Sequence, residues 1–206
     1  MNNRAVVSHI LDWLKAYTDN SKREISTLVV GVSGGIDSAL VSKLCALTGK
    51  KTIVLTLPIK SPDISLSLLH SKQLVKDHPN VKHFEIDLSN MYDIFRDGFT
   101  NLGFSSDLGL ANTKARMRMI ALYQIAASSS GIVVGTGNKV EDFGVGFYTK
   151  YGDGGVDISP IADLTKSEVR SLARHLQIHE KIINTPPTDG LWEDGRSDEE
   201  QLGLSY

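Results

Sequence analysis

The stretch GVSGGIDS, residues 31–38, follows the apolar run LVV at residues 28–30 and leads into the apolar segment ALVSKLCAL at residues 39–47. An apolar run, a glycine pair and then a helical pattern read as strand, tight turn and helix. The glycines permit backbone angles closed to other residues and let amide N–H groups converge on an anion. The N-terminus of the following helix adds a partial positive charge, and Ser33 and Ser38 add hydroxyl donors. The loop therefore suits phosphate. It is neither GxxxxGK[ST] nor GxGxxG, because no lysine follows and the glycine spacing differs. Asp37 is then out of place as a bare neighbour of phosphate. It reads either as an acid favoured by the helix dipole or as a ligand of a divalent cation that bridges acid and phosphate, and its glycine and serine setting favours the second.

Working outward, the chain alternates strands and helices. Residues 27–32, 51–57, 81–86 and 131–135 read as buried strands, most as continuous β-branched or apolar runs. Helical spacing predicts helices over 6–14, 38–47, 62–76, 90–99 and 110–127, with a glycine-rich, aperiodic stretch to Gly155. Thr165 and Glu168 form a capping box that opens a helix to about Leu176. An acidic, proline-containing tail follows. The expected fold is α/β: an open, Rossmann-like parallel sheet of about five strands with helices on both faces, forming one domain over residues 1–206. Such sheets bind ligands at the carboxyl ends of their strands, where GVSGGIDS and GTGNKVED (135–142) both fall.

Composition narrows the class. Of 206 residues, 41% are hydrophobic, enough for a sizeable core. Lys plus Arg is 22 against 24 for Asp plus Glu, a net charge of −2, which asks for neither a nucleic-acid backbone nor an anionic membrane. Cys45 is the single cysteine and lies in an apolar helical pattern, so it reads as a small buried hydrophobe. The opening MNNRAVVSHILDWLK is broken by charges and is no signal peptide, and no apolar run approaches the ~20 residues of a membrane span. The expected location is cytoplasmic.

SGGIDS after a strand resembles the pyrophosphatase-type P-loop of enzymes that cleave ATP between its α and β phosphates. Four further segments extend the likeness: GTGNKVE at 135–141, FYTKYGDGGVD at 147–157, LTKSE at 164–168 and PPTDGL at 186–191. With SDEEQLGLSY at 197–206, they resemble the ammonia-dependent NAD synthetase family over most of the chain. That resemblance implies a ligase that joins ammonia to nicotinic acid adenine dinucleotide (deamido-NAD) at the expense of ATP. An acyl adenylate would form, and AMP and pyrophosphate would leave. It implies that Gly31, Val32, Ser33, Gly34, Gly35, Ile36, Asp37 and Ser38 hold the ATP phosphates, joined by Thr136, Lys166 and Thr188. Asp37 and Glu141 would bind Mg²⁺. Arg116, Lys150 and Asp157, with Asp153 in the same loop, would contact deamido-NAD. With no nucleophile in view, catalysis would come from positioning and charge neutralisation, with Asp37 and Lys166 as the catalytic residues.

Counting forward from GTGNK selects Glu141 as second metal ligand, and counting back from FYTKYGD selects Asp142; the strand end is the firmer anchor and favours Glu141. Arg116 and Arg118 lie two apart on one helix and face differently, so for either of them a solvated face is the rival reading. The chain ends at LGLSY, where relatives continue, so the C-terminal segment is expected to be shortened. No glutaminase-like segment precedes Met1, which points to free ammonia as the nitrogen donor. A homodimer is expected, with the first helix and the 110–127 helix contributing to the contact. The competing readings are another adenylating enzyme on this scaffold (GMP synthetase-like or tRNA-thiolating) and an inactive nucleotide-binding dimerisation module.

Overall fold

A computed structural model describes residues 1–60, 63–186, 191, 201 and 203. Helix α1 (Asn3–Asp19) is followed by β1 (Thr27–Gly31), α2 (Ile36–Leu47), β2 (Lys51–Thr56), α3 (Ser65–Asp77), β3 (Val81–Glu85), α4 (Ser89–Thr100) and α5 (Asp107–Ser128). Then come β4 (Gly131–Val133), a π-helical turn (Lys139–Val145), α6 (Lys166–His175) and α7 (Glu180–Ile183). The strands form one parallel sheet in the order β3-β2-β1-β4.

Side chains alternate across this sheet as the pleat requires. Leu28, Val30, Val54 and Ile132 face a core built with α1, α2, α6 and α7. Val29, Ile53, Leu55 and Val133 face the opposite way, onto Met119, Leu122 and Ala126 of α5 and Tyr92 of α4. Both faces are covered at the centre of the sheet, which is why β1 and β4 and the middle of β2 read as continuous apolar runs, whereas the edge strand β3 carries Lys82, His83 and Glu85.

The expectation of about five strands is corrected to four among the described residues. A fifth begins and stops at once: Ile158 makes a single parallel bridge to Val134. Pro160 follows two residues later, lacks an N–H for a ladder, and starts a turn instead. The glycine-rich stretch is also not wholly irregular. Asn138 accepts hydrogen bonds from the amides of Val140 and Glu141 and caps the π-helical turn, which Gly146 ends in a left-handed conformation.

From β1 the chain winds one way to β2 and β3, then returns to place β4 on the other side of β1. The reversal opens a crevice between the carboxyl ends of β1 and β4, where ligands of such sheets bind.

Candidate active site

A cavity of about 740 Å³ occupies that crevice. Its floor is the loop from Gly31 to Ser38. Gly34 has φ +97°, and a Cβ there would press on the backbone N of Ser67 at 3.1 Å. Gly35 starts α2 with no side-chain cap. The loop braces itself through its serines: the amide of Ser33 donates to Ser38 Oγ at 3.2 Å, the amide of Gly35 donates to Ser33 Oγ at 3.2 Å, and Ser38 Oγ donates to Gly35 O at 3.0 Å. A braced loop at an uncapped helix start is organised for an anion before one arrives.

Three distant segments meet beside this loop. Lys166, in the first turn of α6, donates to Asp37 Oδ2 at 2.6 Å and to Glu141 Oε1 at 2.7 Å. Its side chain is 4% exposed, and those of Asp37 and Glu141 are 16% and 14% exposed. Burial raises the Asp37 carboxyl above its usual range; Lys166 pulls it down and Glu141 pushes it up. The ammonium of Lys166 is held charged by its two carboxylate partners, which outweigh its own burial. Asn138 is fully buried and donates to Asp37 Oδ1 at 3.3 Å while its own oxygen caps the π-helical turn that carries Glu141.

Asp142 stands close by. Its carboxyl is raised to about 6, first by burial and then by Asp153, Glu141 and Asp37. It packs so tightly on Gly137 that a Cβ at 137 would collide with its carboxylate. Both acids line the cavity, but Glu141 shares a cation with Asp37, whereas Asp142 packs on Gly137.

Among the described residues no group of three or more His, Cys, Asp or Glu is arranged to hold a metal ion. Two carboxylates around one ammonium nonetheless suit Mg²⁺. That ion uses one or two protein carboxylates and completes its shell with water and phosphate oxygens. The position already holds a positive charge.

The glycine-rich loop is strapped to α5. Thr149 Oγ1 donates to Asn112 Oδ1 at 2.7 Å, Arg116 Nε donates to Lys150 O at 3.0 Å, and Tyr123 OH lies 2.9 Å from Gly155 O. Gly152 approaches Ala115 so closely that an added Cβ would sit 2.9 Å from the Ala115 Cβ. Asp153 accepts from the Thr149 amide at 2.9 Å and tightens the turn.

Of the residues expected from the sequence, Gly31 to Ser38, Thr136, Glu141, Asp153 and Lys166 all line the one cavity. Arg116, Lys150 and Asp157 belong to the strapped loop and its helix instead: the Lys150 ammonium lies 5.0 Å over the Tyr151 ring, and the Asp157 carboxylate accepts from the Val133 amide at 2.8 Å. Thr188 lies outside the described residues. Neither arginine of α5 is simply solvated, since Arg118 donates from Nε to Leu57 O at 3.0 Å and lines the cavity. Sequence reasoning passed over Asn138 and Tyr123, and weighed Arg118 only as a rival to Arg116. Asn138 had a signal, as an N-cap residue ahead of a turn; the other two had only their place on α5.

Cys45 is buried, and its thiol is raised to about 12 by that burial, so it offers no thiolate for sulfur transfer. No helix among the described residues is long and apolar enough to cross a membrane.

Comparison with known proteins gives a consistent picture. The family model described as NAD synthase matches residues 6–206. An NH(3)-dependent NAD(+) synthetase from Archaeoglobus fulgidus is 39% identical, covering 100% of this chain and 81% of its own. One from Carboxydothermus hydrogenoformans is 37% identical over 96% of this chain and 79% of its own. Among solved structures, an NMN synthetase from Francisella tularensis superposes with a TM-score of 0.89 at 31% identity, over 100% of this chain and 83% of that one. An NH3-dependent NAD synthetase from Campylobacter jejuni gives a TM-score of 0.78 at 32% identity, over 89% and 77%.

Proposed function

The chain belongs to the NAD synthase family, and we propose from that membership and from its cavity a complete account of the reaction. The enzyme amidates deamido-NAD with ATP and ammonia. The nicotinate carboxylate attacks the α-phosphate of ATP, pyrophosphate leaves, and ammonia displaces AMP from the acyl adenylate. A carboxylate is a poor acylating agent, and adenylation gives it a good leaving group.

The chain's own residues position and neutralise. Amides of residues 31–38 and the start of α2 hold the phosphate chain. Lys166 and Thr136 line the same cavity and would meet the phosphates; the resemblance gives Thr188, outside the described residues, the same role. Asp37 and Glu141 are the residues that would hold Mg²⁺. When bound there, the ion would spread the negative charge that builds on the departing pyrophosphate. Arg116, Lys150, Asp153 and Asp157 serve the dinucleotide, through a loop that α5 keeps in place. The observation that carries this reading is the meeting of Asp37, Glu141 and Lys166 at the mouth of the phosphate loop.

The test is NAD formation from deamido-NAD, ATP, Mg²⁺ and ammonium. We expect product from the native chain, and a loss of about 100-fold or more with Asp37→Asn. Equal rates for the two would reject the assignment. Glutamine supporting the reaction as well as ammonium does would reject ammonia as the donor.

A second substrate has one observation in its favour. The likeness to the Francisella NMN synthetase spans the whole chain, so nicotinic acid mononucleotide is an alternative acceptor for the same chemistry. The ratio of kcat/KM for the two acids decides between them.

The enzyme acts as a homodimer in this reading, in the cytoplasm where ATP is supplied. Support comes from an apolar face on α4 and the turn after it: Ile94, Leu102 and Phe104 are each at least 70% exposed, with Met91, Phe99 and Leu108 beside them. A second copy of this chain is the occupant that fits. The sequence pointed to α1 and α5; α1 exposes only Trp13 and Tyr17 in part, and α5 adds Leu108 and Ile120.

A further inference from the structure

We infer that Tyr123 is a positioning residue for the dinucleotide substrate, acting through Asp157. The inference rests on the reading of Asp157 as a contact to deamido-NAD.

Asp157 is held from two sides. Its amide donates to Val133 O at 3.0 Å and its Oδ2 accepts from the Val133 amide at 2.8 Å, so backbone and side chain both grip the end of β4. That leaves Oδ1 to be oriented. The hydroxyl of Tyr123, on α5, lies 3.1 Å from it. Among the described residues no other side chain is hydrogen-bonded to Asp157. The carboxylate has about four acceptor positions; Val133 takes one, and Tyr123 takes a second when its single proton is turned to Oδ1 rather than to Gly155 O. The remaining ones are free to accept from a hydroxyl or N–H of the substrate, in a direction that these two donors fix.

The same hydroxyl lies 2.9 Å from Gly155 O. A phenol has one proton and donates to one acceptor at a time. Tyr123 therefore links the Asp157 carboxylate to the backbone of the glycine-rich loop two residues earlier. Its ring, with Met119, Ile120 and Tyr151, also walls an outer cavity of about 450 Å³ on this side of α5. Burial and the neighbouring carboxylate push the phenol up to about 12, so it keeps its proton at working pH.

The test uses Tyr123→Phe, Asp157→Asn and the double variant in steady-state amidation, with deamido-NAD and ATP varied separately. Tyr123→Phe keeps the ring and removes only the donor. Its KM for deamido-NAD is expected to rise about fivefold or more, with kcat and the KM for ATP within about twofold. The double variant should be no worse than Asp157→Asn alone, because the two residues act as one unit. If Asp157→Asn raises KM and Tyr123→Phe does not, the inference fails while the site stands. If Asp157→Asn itself leaves KM unchanged, the reading of Asp157 fails and takes the inference with it. Independent, additive effects, or a uniform fall in activity that tracks lost folded protein, would also overturn it.

Discussion

Lys166 and Asp37 are 129 residues apart in the chain and 2.6 Å apart in the folded protein. Their pairing joins the first turn of α6 to the first turn of α2, and Glu141 makes it a trio. A lysine at a helix start opposes the helix dipole. Here two buried carboxylates more than compensate.

Replacing Lys166 with Met should therefore leave two buried acids facing each other. Breaking a buried pair costs about 3 kcal/mol or more. Urea unfolding should show that loss in metal-free buffer and a partial recovery with millimolar Mg²⁺, which supplies the missing positive charge. Recovery equal to that of the native protein, or none in either, would contradict the role given to the trio.

Asn138→Ala removes two things at once: the cap of the π-helical turn and the donor to Asp37. Caps and buried hydrogen bonds suggest a cost of about 1–2 kcal/mol. The KM for ATP should rise as well, since Glu141 rides on the turn. Thermal unfolding and kinetics together check this.

Gly34→Ala forces a Cβ into a φ of +97° and against the start of α3. The backbone strain alone is about 1–2 kcal/mol. Nucleotide binding by calorimetry should weaken more than stability does, because the loop that moves is the one proposed to hold phosphate.

His70 supplies a pH dependence away from the site. It is buried on α3 with Ser42 as hydrogen-bond partner, and burial followed by the charge on Lys43 lowers it to about 4. In the unfolded chain it titrates near 6.5, so between these values the unfolded state binds the extra proton. Stability is thus intact above pH 6.5 and falls as pH drops toward 4, by about 3 kcal/mol from this residue. His70→Gln should flatten that part of the urea midpoint against pH.

Leu102→Asp places a charge on the apolar face beside α4. Sedimentation at micromolar concentration should give a dimer for the native chain and a monomer for the variant. A native monomer would remove the dimer from the account.

The sequence was most readable where one residue type answers one local demand. The glycine pair located the turn between β1 and α2, the apolar runs located the four strands, and Thr165 with Glu168 located α6, whose capping box is present. It was silent where function depends on what a helix meets across space. Arg118 and Tyr123 look like ordinary α5 residues until Leu57 and Asp157 come up against them. The fifth strand failed for a nearer reason, since Pro160 was in plain view and its missing N–H limits a ladder to one bridge. The π-helical turn left no periodic trace because seven residues are too few to establish one.

Because α2, the turn after β4 and α6 each contribute one member of the charged trio, no nascent chain that stops short of Lys166 possesses the complete set. During synthesis on the ribosome the early loop emerges long before its counter-charges. Partial products thus cannot assemble the whole trio, which is completed late, once β4 has docked beside β1 and α6 has packed on α2.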